Sequence, residues 1–212
     1  MRISEIFYSI MGESTHAGLP AVFVRLAGCN LRCVYCDTRY AQDETGEPMA
    51  VDRVVDRIEQ HPVPMVCITG GEPLLQPESC TLAGRVLQAG RTCVVETNGS
   101  LDISILPTGA CRIVDIKTPG SGMADSFDWK NIARLSTGDE IKIVCGSRAD
   151  YEWARGLLQE GRLPLDFPVL FSAAAGSLEP RRLAEWMLAD ALPVRLQLQL
   201  HKVLWPGIER GV

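Results

Sequence analysis

The sequence contains no long hydrophobic run, no basic cluster and no internal repeat. No stretch reaches the roughly 18 apolar residues that suggest a membrane-spanning helix. Residues 1–7 lack the basic and then apolar pattern of a secretory signal peptide, so we expect a cytoplasmic protein. The formal net charge is −5, and the densest basic point, Arg181-Arg182, is followed by Glu185. This distribution argues against a nucleic-acid-binding surface.

Cysteine, in contrast, is plentiful, with eight residues in 212. In a reducing compartment, grouped cysteines bind metal or take part in catalysis more often than they form disulfides. Cys29, Cys33 and Cys36 lie close together on one loop, directly after an apolar segment. Three thiolates can hold a cuboidal [4Fe–4S] cluster and leave one iron open to an outside ligand. The alternative is a structural zinc site, which normally has four ligands. The other cysteines are isolated: Cys67, Cys80, Cys93, Cys111 and Cys145.

Apolar strand segments alternate with amphipathic helices along the chain. Strands are predicted at 21–27, 65–69, 92–96, 112–116, 140–144, 168–172 and 193–198. Helices are predicted at 50–61, 77–89, 128–135, 149–159 and 179–189. This alternation is typical of a parallel sheet covered by helices.

The length of the chain limits how far such a sheet can close. A complete eightfold barrel typically needs about 250 residues, and the connections 99–111 and 117–139 are poor in helical pattern. We therefore predict one α/β domain over residues 1–212. Its fold is expected to be an incomplete TIM-like barrel of about six parallel strands with reduced helix content.

Polar and glycine-rich residues follow the predicted strands, at the ends where such folds carry their chemistry. These segments are Gly28-Cys29, Thr69–Pro73, Glu96–Gly99, Asp115–Lys117, Val144-Cys145 and Ser172. In Gly70-Gly71-Glu72-Pro73 the glycines permit a ligand to approach the backbone closely. Alone, that segment could be a simple turn.

The spacing C-x3-C-x2-C, followed by Gly70-Gly71-Glu72-Pro73, resembles the radical S-adenosylmethionine (SAM) superfamily. Segments 9–20, 23–38 and 199–206 are similar to the 7-carboxy-7-deazaguanine synthase family, and the resemblance runs from about residue 4 to residue 206. It implies a carbon–nitrogen lyase that converts 6-carboxy-5,6,7,8-tetrahydropterin to 7-carboxy-7-deazaguanine with loss of ammonia, in queuosine-type 7-deazapurine biosynthesis. It also implies a [4Fe–4S] cluster, SAM and Mg²⁺, a flavodoxin or ferredoxin as electron donor, and a homodimer.

The same resemblance implies three sets of site residues, with the radical itself supplied by SAM. The cofactor-binding set is Tyr35, Asp37, Gly70, Gly71, Glu72, Asn98, Asp115, Ile116 and Lys117. The substrate-binding set is Ile10, Met11, Gly12, Glu13, Arg25, Thr69 and His201. The metal-binding set is Cys29, Cys33 and Cys36 for the cluster and Thr38 for Mg²⁺. The C-terminal tail, about 199–212, is expected to close over the site.

The chemistry of these residue types agrees with the implied roles. Arg25 interrupts an apolar strand, and a guanidinium can pair with a substrate carboxylate through two hydrogen bonds. Glu13 can accept from the adjacent donors on the guanidine-like edge of a pterin. Thr38 offers Mg²⁺ a hard oxygen, or alternatively caps a helix. His201 either positions substrate or packs the tail.

Some positions depart from the family pattern, and two other functions remain open at this stage. Met11 stands where the family usually has Gln, and Ser14 where it usually has Gly. Because Met lacks the polar groups of Gln, only a backbone or packing contact is expected at position 11. The segment after the sixth strand, Ser172–Ala175, also departs from the pattern. The alternative functions are an activase that installs a glycyl radical on a partner protein and a non-catalytic Fe–S or zinc scaffold.

Overall fold

A single nine-stranded sheet organises the chain in the computed structural model, which describes residues 1–212. The strands are β1 (Arg2–Ile10), β2 (Pro20–Leu26), β3 (Glu47–Pro48), β4 (Met65–Gly70), β5 (Thr92–Thr97), β6 (Cys111–Ile116), β7 (Glu140–Cys145), β8 (Val169–Ala173) and β9 (Arg195–Gln197). Their order is β3-β1-β2-β4-β5-β6-β7-β8-β9, and the sheet does not close. Every pair from β2 to β9 is parallel, whereas β1 runs antiparallel to both of its neighbours.

Six α-helices accompany the sheet. They are α1 (Arg39–Asp43), α2 (Val51–Glu59), α3 (Glu78–Gln88), α4 (Arg148–Gln159), α5 (Pro180–Ala189) and α6 (Leu200–Leu204). Neither the connection from β5 to β6 nor that from β6 to β7 contains an α-helix. Both were predicted to be poor in helix, although a short helix was expected at 128–135. None of the helices is both long and apolar enough to cross a membrane.

The predicted α/β architecture, an incomplete barrel with a mostly parallel sheet, is confirmed. All seven predicted strands form, and α2 to α5 match four predicted helices to within two residues at each end. Strands β1 and β3 were not predicted. Most residues of β1 are half-buried on both faces, so its sequence lacks the alternation that marks a strand with one exposed face. Helices α1 and α6 are too short to show a helical period.

The predicted helix at 128–135 is instead a 3₁₀ segment, Trp129–Arg134. Two side chains explain this difference. Asp128 accepts a hydrogen bond from the amide of Lys130, and Asn131 donates to the carbonyls of Gly99 and Leu101. These local bonds compete with a regular helix.

Side chains that alternate along each strand separate the two faces of the sheet. On β2, Val22 and Val24 point to the helices and join a core cluster of 32 buried residues. Ala21 and Phe23 point to the opposite, inner face and belong to a second cluster of seven. The next residue on that inner face is Arg25. On β4, β5 and β6 the inner-facing side chains are also apolar first and polar nearer the C-terminal end of the strand. The apolar cluster therefore lies beneath a layer of polar side chains.

Candidate active site

The polar layer of the inner face forms one wall of a cavity at the C-terminal ends of the strands. Arg25 pairs with Thr69 in the register of β2 and β4, and Asp115 pairs with Lys142 in that of β6 and β7. Thr69 donates to Glu96 of β5 with an O–O distance of 2.8 Å. All five of these side chains line the cavity. Five parallel strands therefore deliver one charged or polar residue each to the same site.

The loop after β2 supplies the opposite wall. Cys29, Cys33 and Cys36 all line the cavity. Burial raises the pKa of the Cys29 and Cys33 thiols, so iron would have to displace their protons on binding. No three side chains lie close enough to hold a single metal ion. A cuboidal cluster, whose irons occupy separate corners, suits three thiolates spread along one loop.

The backbone of Gly70-Gly71-Glu72 is joined to the start of the cysteine loop. The Gly71 amide donates to Leu26 O at 2.9 Å, and the Glu72 amide donates to Gly28 O at 2.8 Å. A Cβ on Gly71 would overlap the backbone of Gly28, and Gly70 has φ = +140°. Both glycines are therefore required by this close approach. The contact fixes the position of the loop relative to β4.

Glu72, which was predicted to bind cofactor, does not line the cavity. Its carboxylate is fully buried and accepts from the amides of Leu74 and Asn98 and from the hydroxyl of Thr97. It therefore fixes the end of β5 beside the cysteine loop. Asn98 in turn lines the cavity and donates to Asn30 Oδ1 at 3.1 Å.

Two other predicted residues also lie outside the cavity lining. Ile116 is completely buried in the larger core, because it points to the helix side of β6. Met11 is completely buried in the inner apolar cluster. Met11 therefore packs beneath the site, which agrees with the expectation that only packing or backbone contacts remain possible at this position.

The end of β6 carries a buried ion pair close to the cysteine loop. Lys117 Nζ lies 2.9 Å from Asp115 Oδ2, and both side chains are less than one-fifth exposed. Burial alone would lower the pKa of Lys117, but Asp115 and Cys33 hold it above its ordinary value. Nearby, the Tyr35 hydroxyl donates to Val144 O at 2.9 Å, and burial raises the pKa of Tyr35 to about 12. Lys117 therefore stays charged and Tyr35 neutral at physiological pH.

Glu13 lies across the cavity, in the loop between β1 and β2. Its Oε2 accepts from Lys142 at 2.5 Å and its Oε1 from Gln199 at 2.8 Å. Burial alone would raise the pKa of Glu13, but the Lys142 ammonium holds it below its ordinary value. Glu13 is therefore an ionised carboxylate in a nearly dry site. Neither Lys142 nor Gln199 was among the predicted site residues.

Arg25 lines the cavity beside an acidic partner that was also missed. Arg25 Nε donates to Glu5 Oε1 at 2.7 Å, and the guanidinium lies over the ring of Phe7. Glu5 also accepts from the hydroxyl of Tyr40 at 2.7 Å. Glu5 lies on β1, a strand that the sequence analysis did not predict. One edge of the guanidinium is thus anchored by protein.

Thr38 lies next to the last cysteine of the loop. It precedes α1, but its side chain makes no capping hydrogen bond. Thr38 lines the cavity, and its Oγ1 lies 3.7 Å from Cys36 Sγ. Because the alternative use of this hydroxyl as a helix cap is not realised, an oxygen suited to Mg²⁺ remains available to the site.

The C-terminal tail contributes a further side of the cavity. Gln199, His201, Lys202, Ile208, Glu209 and Val212 all line it. The Leu200 amide donates to Gly12 O at 2.9 Å, and the Gly211 amide donates to Glu5 at 3.0 Å. A Cβ on Gly12 would overlap the imidazole of His201. The tail is thus fitted against the loop that carries Glu13.

The remaining predicted residues, Ile10, Gly12 and Asp37, also line the cavity. The predicted residue sets lack Glu5, Phe23, Gln42 and Lys142. They also lack Glu96 and Gln199, although both lie in segments that the sequence indicated, the end of β5 and the C-terminal tail. One signal was available for Lys142, because it interrupts the apolar strand Glu140–Cys145 as Arg25 interrupts β2.

Comparison with known proteins gives consistent results. The model of the Radical SAM superfamily matches residues 24–112. A 7-carboxy-7-deazaguanine synthase from Chlorobaculum tepidum is 44% identical over 100% of this chain and 97% of its own length. One from Koribacter versatilis is 39% identical over 100% of both chains. The solved structure of QueE from Escherichia coli superimposes with a TM-score of 0.76 at 23% identity and covers 94% of each chain.

Proposed function

The chain belongs to the 7-carboxy-7-deazaguanine synthase family of radical SAM enzymes, and we propose that it converts 6-carboxy-5,6,7,8-tetrahydropterin to 7-carboxy-7-deazaguanine with loss of ammonia. One observation carries the proposal. A three-cysteine loop and a buried, ionised Glu13 face the same cavity in a chain that matches its relatives over its whole length. Neither the glycyl-radical activase nor the scaffold accounts for that combination.

The cysteine side of the cavity suits the cofactors. Cys29, Cys33 and Cys36 would hold the [4Fe–4S] cluster, which with SAM supplies the one-electron chemistry of the reaction. The backbone of Gly70 and Gly71 lines the cavity beside the loop, where it can contact the amino-acid part of SAM. The Asp115–Lys117 pair offers one acceptor and one cation at the adjoining strand end. The protein mainly orients these groups and excludes water.

The opposite side suits the pterin. Glu13 is an ionised acceptor for the pyrimidine edge, whose amino group and ring N–H are adjacent donors. Arg25, whose Nε is held by Glu5, can present its terminal nitrogens to the substrate carboxylate. Thr38 would supply one oxygen to Mg²⁺, with water and substrate oxygens completing its coordination. His201 and the tail would cover the substrate.

Partners beyond the substrate are also part of the proposal. A flavodoxin or ferredoxin would deliver the electron to the cluster, in the cytoplasm. A homodimer is supported by apolar side chains that stay exposed from β9 to α6. These are Leu196, Leu198, Val203 and Leu204.

The test is anaerobic turnover with product analysis. Reconstituted protein is incubated with dithionite, SAM, Mg²⁺ and 6-carboxytetrahydropterin, and the products are identified by mass spectrometry. Formation of 7-carboxy-7-deazaguanine that depends on both SAM and the pterin supports the proposal. If only 5′-deoxyadenosine forms, the protein cleaves SAM as a radical SAM enzyme does, but the proposed substrate is wrong.

A further inference from the structure

A row of four buried charges of alternating sign crosses the inner face of the sheet. Glu13 pairs with Lys142 at 2.5 Å, Lys142 lies 3.5 Å from Asp115, and Asp115 pairs with Lys117 at 2.9 Å. The side chains of Glu13 and Lys142 are only 9% and 10% exposed. One end of this row faces the proposed pterin position, and the other lies beside the cysteine loop. We call these four residues the charge row.

The fold does not require the ion pair between Lys142 and Glu13 as a whole. An ion pair taken out of water is commonly replaceable by apolar residues without loss of stability. The loop that carries Glu13 has a separate anchor on β7, because Thr15 donates through both its amide and its hydroxyl to Glu140. Asp115 is already paired with Lys117 at a shorter distance. The closest contact of Lys142 is therefore with Glu13.

Lys142 is the only cation in a salt bridge with Glu13. Without that ammonium, a carboxyl group at this depth would tend to take up a proton. The protonated form would present a donor where the pterin edge also presents donors. With Lys142 on Oε2 and Gln199 on Oε1, the carboxylate stays charged and fixed. Each oxygen keeps one lone-pair direction for a further donor.

Resting on the proposed function, we propose that Lys142 is a positioning residue for the pterin: it fixes Glu13 as a charged, oriented acceptor for the two adjacent donors of the substrate. It acts through Glu13 and not by touching the substrate. Substrate recognition then depends on β7 as well as on the loop between β1 and β2. The consequence is that the effect of losing Lys142 must vanish when Glu13 is already neutral.

A double-mutant cycle on substrate affinity tests this dependence. The proteins are wild type, Lys142→Met, Glu13→Gln and the double variant, each reconstituted with its cluster. Binding of 6-carboxytetrahydropterin is measured anaerobically, without reductant, by titration calorimetry. Lys142→Met should weaken binding by about 10- to 100-fold, the range for a hydrogen bond to a charged group. In the Glu13→Gln background the same substitution should change the affinity by less than about threefold.

Two further variants separate positioning from general disruption. Lys142→Arg keeps the charge and should retain most of the affinity that Lys142→Met loses. Lys130→Met removes an exposed lysine that forms no salt bridge, and it should leave binding unchanged. If Lys142→Met does not accumulate as folded protein, the effect of Lys142→Met in the Glu13→Gln background is still measured, and a loss there of more than about threefold contradicts the inference.

Three results would overturn the inference. Equal losses from Lys142→Met in both backgrounds would show that Lys142 does not act through Glu13. A loss in Lys142→Arg as large as in Lys142→Met would show that charge is not the relevant property. If wild-type protein does not bind the pterin at all, the proposed function falls and the inference falls with it. If wild type binds the pterin but the losses from Lys142→Met and Glu13→Gln are additive, the inference is rejected and the proposed function is not.

Discussion

The cysteine loop and the charge row line the same cavity, yet they are built by different means. Residues 28–38 contain no helix or strand, and their three cysteines are free. A [4Fe–4S] cluster would join these thiolates when it binds. The charge row stands partly on β6 and β7, and its members already pair with one another. One half of the site is therefore completed by its cofactor. The other half is organised by the protein before any ligand binds.

Removing a cluster ligand should break the first half completely. Cys33→Ala leaves two thiolates on the loop, too few for a [4Fe–4S] cluster with one open iron. We expect loss of bound iron and no detectable 5′-deoxyadenosine, because the cofactor carries the radical chemistry. Iron content and product analysis measure this effect.

The matched control for that variant is Cys80→Ala. Cys80 is half-buried in α3 and does not line the cavity. The Cys80→Ala variant should keep both its bound iron and its activity. If Cys33→Ala kept a competent cluster, the assignment of this loop would be wrong.

Removing one charge of the row should instead affect stability. Lys142→Met leaves Glu13 buried without its cation, and breaking such a pair commonly costs about 3–5 kcal/mol. Removal of both charges in Glu13→Gln/Lys142→Met should recover a large part of this loss. Urea unfolding of the cluster-free proteins measures both effects. In the same assay Cys33→Ala should change the free energy of unfolding by only about 1 kcal/mol.

Two results would contradict this difference in stability between Lys142→Met and Cys33→Ala. If Lys142→Met unfolds like wild type, the row is solvated in solution and is not an organised half of the site. If Cys33→Ala destabilises the cluster-free protein as strongly, the loop is structured without iron. Either result would remove the difference between the two regions.

The two halves also differ in how far the sequence reveals them. The cysteine loop and Gly70-Gly71-Glu72-Pro73 are contiguous, so their spacing alone indicates the chemistry. The charge row joins residues as far apart as Glu13 and Lys142, 129 positions along the chain. Its pairing depends on the register of β6 and β7, which no local pattern determines. The partner of Arg25 was missed for the same reason, because Glu5 lies on an antiparallel strand without clear alternation.

The prediction for Glu72 shows a related limit. The glycines of the motif do line the cavity, but the motif could not show which way the carboxylate of Glu72 turns. In the structure that carboxylate points to the amides of Leu74 and Asn98. Strand and helix positions, in contrast, followed from hydrophobic periodicity, which is a local property. Direction and pairing of polar side chains are the properties that need the assembled fold.

A substitution at the contact between Gly12 and the tail should perturb the organised half of the site less strongly. In Gly12→Ala the new Cβ would overlap the His201 imidazole, so the imidazole or α6 itself must move. We expect the KM for the pterin to rise by about 10-fold, since displacement of a positioning element reduces productive binding. Limited proteolysis should show faster cleavage in the tail. Gly156→Ala in α4 is the control, because its Cβ meets nothing within 4 Å.

The control should have the opposite effect on stability. An alanine in place of a helical glycine stabilises by about 0.5–1 kcal/mol when it fits, and Gly156→Ala should leave the KM unchanged. A wild-type KM in Gly12→Ala would show that the tail is not held against this loop when substrate binds.

The smallest expected effect is a pH dependence from His201. Burial lowers its pKa from the ordinary value of 6.5, although Glu13 and Asp37 oppose that shift. As the pH falls below 6.5, the unfolded chain therefore takes up a proton before the folded chain does. The free energy of unfolding then decreases with falling pH, by about 1.4 kcal/mol for each unit of pKa difference, and levels off below the folded pKa. His201→Gln should abolish this part of the pH dependence, as measured by urea unfolding between about pH 5 and 8. An unchanged profile would mean that the imidazole is solvated, and the tail would then belong with the loosely organised half of the site.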